Sequence, residues 1–531
     1  MASSQEQPSV FFLAYVVLVL MQELPCLASS RSSSLVALAG ASNQTRNGEA
    51  EALLTWKSKL DSQSRSTLSS WIGSNPCSWR GIDCDPLGSI ASLNLSDSAI
   101  CGTLHHLNFS QLPSLAALKL ANNSLFGPIP QEIGNLSSLW TLDLSENNFS
   151  GCIPDAIGKL GNLANLLLNE NNISGSIPSS IGNLSKLTQL NLRANNLRGF
   201  LPTGMNNLTF LTYLRLSHND LVGQLPQEIC SSQALEFLSA SNNHFSGPIP
   251  RNLKNCSSLR RVRLQKNLLK GNIADALGVY PYLYYVELSD NELYGELPPT
   301  LGDCKNLTSL KISNNKISGT IPPQLGNMNQ LVILDLSLNN IAGEIPKDLG
   351  KLKLLLELLL ECNYLGGHIP QELGALSSLQ KLNIAGNNLG GSVPRQLGEC
   401  SKLQFFNLSR NSLGTSIPDE ISKLQSLEVL DLSQNLLTGE IPGKLGLLHK
   451  LETLNLSHNQ LSGSIASTFD DMASLTSIDI SYNELEGALP EIPAFRNATI
   501  EVVRGNKGLC GVIASLKSCT EKTSKVLDAE E

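Results

Sequence analysis

One spacing governs most of this chain. From Leu115 to Leu475 a leucine opens a new frame every 24 residues with no insertion, giving sixteen frames, and a looser frame precedes them at Ile90. The frame LWTLDLSENNFSGCIPDAIGKLGN (139–162) shows the pattern: apolar residues at positions 1, 4, 6, 11, 15, 19 and 22, Asn at 9, Gly at 13 and Ile-Pro at 15–16. One unit of this kind cannot bury its own leucine face. Stacked units can, because each coil covers its neighbour, so the spacing demands a solenoid of about 17 repeats rather than several globular domains.

Each position has a physical reading. Positions 4 and 6 alternate with polar neighbours, the period of a strand with one buried face, so the strands lie side by side in one parallel sheet. At ~4.8 Å per strand the sixteen frames make an arc roughly 75 Å long. Asn fills position 9 in every frame from Asn123 to Asn483. A stacked amide offers donors and an acceptor where each strand turns away. Gly at position 13 suits a tight turn, with Thr415 the exception, and the following Pro is broken at Ala274 and Ala466. Aromatic residues are only 5% against 41% hydrophobic overall, so the core is aliphatic. A net charge of -8 without basic runs excludes a general attraction to nucleic acid or anionic membrane.

The ends read differently. Val10–Met21 is apolar but short for a bilayer, and Pro25, Cys26 and Ala28 follow, so residues 1–28 are expected to be a signal peptide. Residues 29–48 read as a disordered linker, 49–89 as an N-terminal cap, 90–490 as the solenoid, 491–520 as a C-terminal cap and 521–531 as a disordered tail. Glu51–Leu60 has helical amphipathicity. Disulfides Cys77–Cys84 and Cys510–Cys519 are expected to close small loops over the two ends. Cys230 and Cys256 lie one repeat plus two positions apart, where neighbouring coils can bring them within bonding distance, and the pairing stays open. Cys101, Cys152 and Cys362 read as buried or half-buried thiols, while Cys304 and Cys400 occupy the core position 22. Sequons at Asn94, Asn135, Asn183, Asn207, Asn255, Asn306, Asn407 and Asn455, among others, fit a heavily glycosylated secreted chain.

The pattern LxxLxLxxNxLxGxIP resembles the plant-specific class of leucine-rich repeats. CSWRGIDCD (77–85) and GNKGLCG (505–511) resemble the N- and C-terminal caps of plant receptor-like kinases. A finer likeness, to the male-discoverer-interacting receptor-like kinases, rests on Gln227-Glu228-Ile229-Cys230, Asn255-Cys256, Arg261-Val262-Arg263-Leu264 and Gly278-Val279-Tyr280-Pro281. The resemblance implies an α/β solenoid with its parallel sheet on the concave face. It also implies an extracellular or cell-surface receptor fold that binds secreted peptides and recruits a short leucine-rich-repeat co-receptor kinase. No transmembrane helix or kinase motif is present before the chain stops at Glu531. It is therefore expected to be either a secreted member or a fragment of a membrane receptor serine/threonine kinase.

Positions 2, 3, 5, 7 and 8 are expected to face solvent on the concave side. Most carry small or polar residues. One stretch does not: Arg193, then Tyr213, Arg215 and His218, then Phe237, then Arg260, Arg261, Arg263 and Lys266, then Tyr284, Tyr285, Glu287 and Asp290. This basic and aromatic patch can take an acidic group and apolar side chains. The family implies that an inner-face Arg-x-Arg pair holds a peptide's free C-terminus, and Arg261 and Arg263 match it in phase. Two other classes compete. Shorter plant repeat proteins inhibit microbial wall-degrading enzymes, though with about ten repeats. An enzyme would need convergent nucleophile, base or metal ligands, and the scattered histidines supply none. No cofactor is expected.

Overall fold

The computed structural model describes residues 34–513 and 516–519, with side chains from Asn47 onward. The expected signal peptide and the tail after Cys519 lie outside the described residues. A helix spans Ser34–Lys59, so the stretch 34–48 is helical where the sequence reading placed a linker. Nothing in SLVALAGASNQTRNGE breaks a helix as proline would, and the cap helix continues back through it.

Every in-phase frame contributes a three-residue strand at positions 3–5. Ala117–Lys119 is followed by Thr141–Asp143, and the series ends at Ser477–Asp479. Neighbours pair in parallel with a shift of one repeat, as in Ala117↔Thr141 and Leu118↔Leu142. The looser frame joins at Ser92↔Ala117. The leucines at position 4 point inward: Leu118, Leu142 and Leu166 have no exposed surface. Burying one such side chain contributes about 1.5–3 kcal/mol, and the two flanking coils supply most of its contacts.

The position-9 amides form the ladder that connects coils. Asn147 Nδ2 donates to Leu120 O of the preceding coil at 2.8 Å and to Ser145 O of its own. Its Oδ1 accepts Leu125 N–H at 2.9 Å. The residue just before each Asn takes a left-handed conformation, among them Glu146, His218, Lys266 and Asp290.

Positions 10–13 then form a second line of parallel strands, such as Ser124–Pro128 beside Asn148–Gly151. The glycines at position 13 other than Gly271 have positive φ there, and Thr415 takes the same conformation. Pro at position 16 precedes a 3-10 turn on the outer side, as Pro154 does for Asp155–Lys159.

The ends are closed by different means. Trp56, Trp71 and Trp79 pack as a row, with centroids 6.2 and 5.5 Å apart. Their ring N–H groups donate to Thr103 O, Arg80 O and Ile72 O. The strand Ile82–Cys84 pairs antiparallel with Ile90–Asn94 and covers that sheet edge. At the other end Asn506 extends the amide ladder, donating to Ile480 O and accepting Leu485 N–H, both at 3.0 Å.

Cys77–Cys84 and Cys510–Cys519 are joined, as are Cys230–Cys256, whose Cα atoms are 5.8 Å apart on consecutive coils. Cys304 and Cys400 are buried free thiols. Cys101 is half-buried, as expected, but Cys152 and Cys362 are exposed, which corrects the reading of them as buried or half-buried: they sit at positions 14 and 8, at the rims of a coil rather than in its core.

Candidate ligand-binding surface

Strand register brings the patch together. Tyr213, Phe237, Arg261 and Tyr285 are consecutive partners in one row, and Arg215, Ser239, Arg263 and Glu287 in the next, with Lys311 after them. Both rows occupy positions 3 and 5, whose side chains leave the concave face together.

The first row carries two stacked pairs. Tyr213 and Phe237 stack at 4.5 Å with 6° between their planes. The Arg261 guanidinium lies over the Tyr285 ring at 4.6 Å. Arg215 lies over the Tyr213 ring more loosely, at 6.0 Å. Arg260, at position 2, turns to the flank, where it pairs with Glu236 at 3.0 Å and approaches Tyr282.

The expectation that positions 7 and 8 share this face needs correction. Small residues at position 7 are buried, as Ser217, Ser241 and Ser289 show. Position 8 is the left-handed corner, so His218, Lys266 and Asp290 line the rim of the patch rather than its floor. Arg193, at position 7, is paired with Glu170, and Asp290 accepts from Asn314 at 2.8 Å. Burial, and then the positive charges of Arg193, Arg263 and Lys266, hold the His218 pKa below its ordinary value. His218 therefore registers the cationic field of the patch.

Polar satisfaction singles out the same coils. Seven buried side-chain polar atoms lack a hydrogen-bond partner among the described residues, and four of them are Arg261 Nε, Arg263 Nε, Gln265 Oε1 and Ser309 Oγ. They lie on two coils, those that open at Leu259 and Leu307, which flank the coil of Tyr285 and Glu287. A buried donor or acceptor left unpaired costs about 1–3 kcal/mol, so such atoms are rare unless something else meets them. Sequence reading missed Gln265, Ser309 and Lys311, because a small or polar residue in those phases looks like any solvated strand residue.

The sequons at Asn135, Asn183, Asn207, Asn255 and Asn306 are exposed at positions 21–24, away from the concave face. Asn94 is exposed at position 5 of the first coil, and Asn407 and Asn455 are half-buried at the same position far along the arc. Among the described residues no group of three or more His, Cys, Asp or Glu could hold a metal ion, and no helix is long and apolar enough to cross a membrane.

Comparison with known proteins matches this geometry. The leucine rich repeat N-terminal domain matches residues 46–85, and a leucine-rich repeat region matches 84–198. Further leucine rich repeats match 210–232, 234–256, 306–328 and 330–352, then 377–437, 413–461 and 442–485. The plant peptide hormone receptor RGFR1, solved in complex with RGF2, is 32% identical with a TM-score of 0.64, over 77% of this chain and 73% of that one. The chain belongs to the plant leucine-rich-repeat receptor-like kinase ectodomains. The Arabidopsis receptor kinase HAESA, in complex with the peptide hormone IDA and the co-receptor SERK1, matches at 28% identity and TM-score 0.54. That alignment covers 89% of this ectodomain and all (100%) of the HAESA chain. MDIS1-interacting receptor like kinase 2 of Arabidopsis thaliana is 44% identical over 94 residues, 17% of this chain and 9% of that protein. The chain thus matches less than a tenth of that relative's length.

Proposed function

We propose that this ectodomain senses a secreted peptide at the plant cell surface, with Arg261 and Arg263 holding the peptide's free C-terminal carboxylate. The observation that carries the reading is the placement of Arg261 and Arg263 at positions 3 and 5 of one concave strand, beside the stacked Tyr213 and Phe237. Two guanidinium groups at positions 3 and 5 leave the strand in the same direction and can each donate to a carboxylate oxygen. The stacked Tyr213 and Phe237 rings provide the adjoining apolar floor for the preceding peptide side chains. RGFR1 and HAESA, whose solved structures hold peptide hormones, support this reading. A short leucine-rich-repeat co-receptor kinase is the matching partner, by analogy with SERK1 on HAESA. Where such a chain continues into a membrane span and a kinase, peptide occupancy becomes the input to phosphorylation.

The test is capture from a synthetic peptide library prepared twice, once as C-terminal acids and once as C-terminal amides. The acid pool is expected to be retained and the amide pool not. The double variant Arg261→Ala/Arg263→Ala should weaken acid capture by roughly a hundredfold, the loss of two charge-assisted hydrogen bonds. Equal capture of acids and amides, or no effect of the double variant, would overturn the assignment.

A further inference from the structure

The coil that opens at Leu259 breaks the repeat pattern away from the concave strands. It has Ala274 where most coils have proline, and Gly271 is without the positive φ of the other position-13 glycines. Its second strand is only Leu268–Leu269. The chain then enters a short helix, Ile273–Ala276, in place of a 3-10 turn, and the Asn272 side chain accepts Ala274 N–H at 3.0 Å. The second strand line ends at this coil. It resumes one coil later at Tyr294–Glu296, joined across the break by a bridge between Asn272 and Tyr294.

The break leaves a pocket of about 270 Å³. Ile249 and Leu293, both buried, give it an apolar floor. Four exposed side chains line it above that floor: Arg251, Lys270, Asp275 and Tyr294. Arg251 and Asp275 meet only at 3.8 Å, with 82% and 57% of their side chains exposed, a contact too loose and too wet to fix either one. Lys270 forms no ion pair among the described residues. Tyr294 leaves 46% of its surface in solvent.

Two cations, one carboxylate and one bare aromatic ring therefore converge on a small concavity. A simple anion uses the cations but is repelled by Asp275. An apolar group uses the floor but strips water from three charges. A zwitterion matches the charges and leaves the ring unused. A sugar acid uses every group. Its carboxylate meets Arg251 and Lys270, a ring hydroxyl donates to Asp275, and the C–H face of the pyranose lies on the electron-rich face of Tyr294.

We infer that this pocket binds an acidic sugar, a uronic acid residue of an extracellular polysaccharide. The volume falls just below the usual range of ligand pockets, roughly 300–1,000 Å³, and so takes one sugar ring rather than a run of them. The inference does not depend on the carboxylate clamp. Lys270 and Tyr294 stand at position 12, on the second strand line, whereas Arg261 and Arg263 leave the concave strand. One ectodomain can therefore hold a peptide on its concave face and a polysaccharide on its flank.

The experiment measures binding of a short α-1,4-linked galacturonic acid oligomer to the full chain by calorimetry, beside the same oligomer with its carboxylates methyl-esterified. The acid should bind about tenfold more tightly than the ester. Lys270→Ala should weaken acid binding about tenfold, and Lys270→Arg should restore it. Tyr294→Ala should weaken acid and ester alike, because the ring contact carries no charge. Asp275→Ala should weaken acid binding about threefold through the lost hydroxyl contact. A mere cationic patch would instead bind more tightly once that carboxylate is gone. The four side chains are exposed, so these variants should unfold with the unmodified chain in denaturant and capture acid-terminated peptides as it does. Absent binding, equal binding of acid and ester, tighter binding by Asp275→Ala, or binding that Lys270→Ala and Tyr294→Ala leave unchanged overturns the inference and leaves the clamp untouched.

Discussion

His218 reports the electrostatics of the patch at the scale of one side chain. Its imidazole sits at the rim, where burial and the charges of Arg193, Arg263 and Lys266 favour the neutral form. The folded pKa is therefore below the unfolded one. As pH falls through this window the unfolded chain takes up the proton first, and the folded state loses stability. A bound carboxylate adds a negative charge beside the same group and works the other way. An NMR titration should accordingly place the His218 midpoint below its ordinary value of 6.5 in the free protein. Arg263→Ala should move it upward, as should occupancy by an acid-terminated peptide. A midpoint indifferent to Arg263 would mean that the rim and the floor of the patch are electrically separate.

The coil is the repeating element, and its position-9 amide does more than its share. Asn315 Nδ2 donates to Leu288 O, Ile312 O and Ser313 O at 3.1–3.2 Å, and its Oδ1 accepts Leu293 N–H at 3.0 Å. Asn315→Ala leaves these backbone groups buried and unpaired, and should destabilise the chain by roughly 2–4 kcal/mol. Its neighbour Asn314 is exposed and left-handed at φ 50°. Asn314→Gly suits that backbone and should cost less than about 1 kcal/mol. Denaturant unfolding of the two variants checks the contrast, and equal losses would contradict the ladder.

Much of the coil was legible because its constraints repeat: strands at positions 3–5 follow from alternation, and the amide ladder from an Asn in every frame. The second strand line was not legible. Its residues, such as Asn148–Gly151, are Asn, Ser and Gly around a single buried apolar side chain, Phe149, which gives no alternation to read, and pairing between coils makes them extended. The left-handed corner at position 8 was missed for a related reason. Glu146, Leu338 and Tyr482 all adopt it, so backbone geometry imposed by the ladder overrides side-chain type. For the patch, the arginines and aromatics stood out by contrast with their neighbours. Glu287 was visible as a residue, but its burial between two cations depends on register across three coils.

Across the whole molecule, the concave face divides into unlike halves. The patch occupies the coils from Leu187 to Leu310. Asn407 and Asn455, both at position 5, lie beyond it and use Oδ1 to accept from Ser409 and Ser457 N–H. That leaves Nδ2, the atom a glycan would take. Glycans there would obstruct the C-terminal half of the arc and leave the patch as the open part. The most direct test of the account is therefore where a captured peptide lies. An acid-terminated peptide recovered from the library, rebuilt with a photo-reactive group near its last residue, should cross-link to the concave strands Phe237–Ser239, Arg261–Arg263, Tyr285–Glu287 and Ser309–Lys311. Cross-links confined to the outer 3-10 turns, or to the coils beyond Asn407, would contradict the central claim.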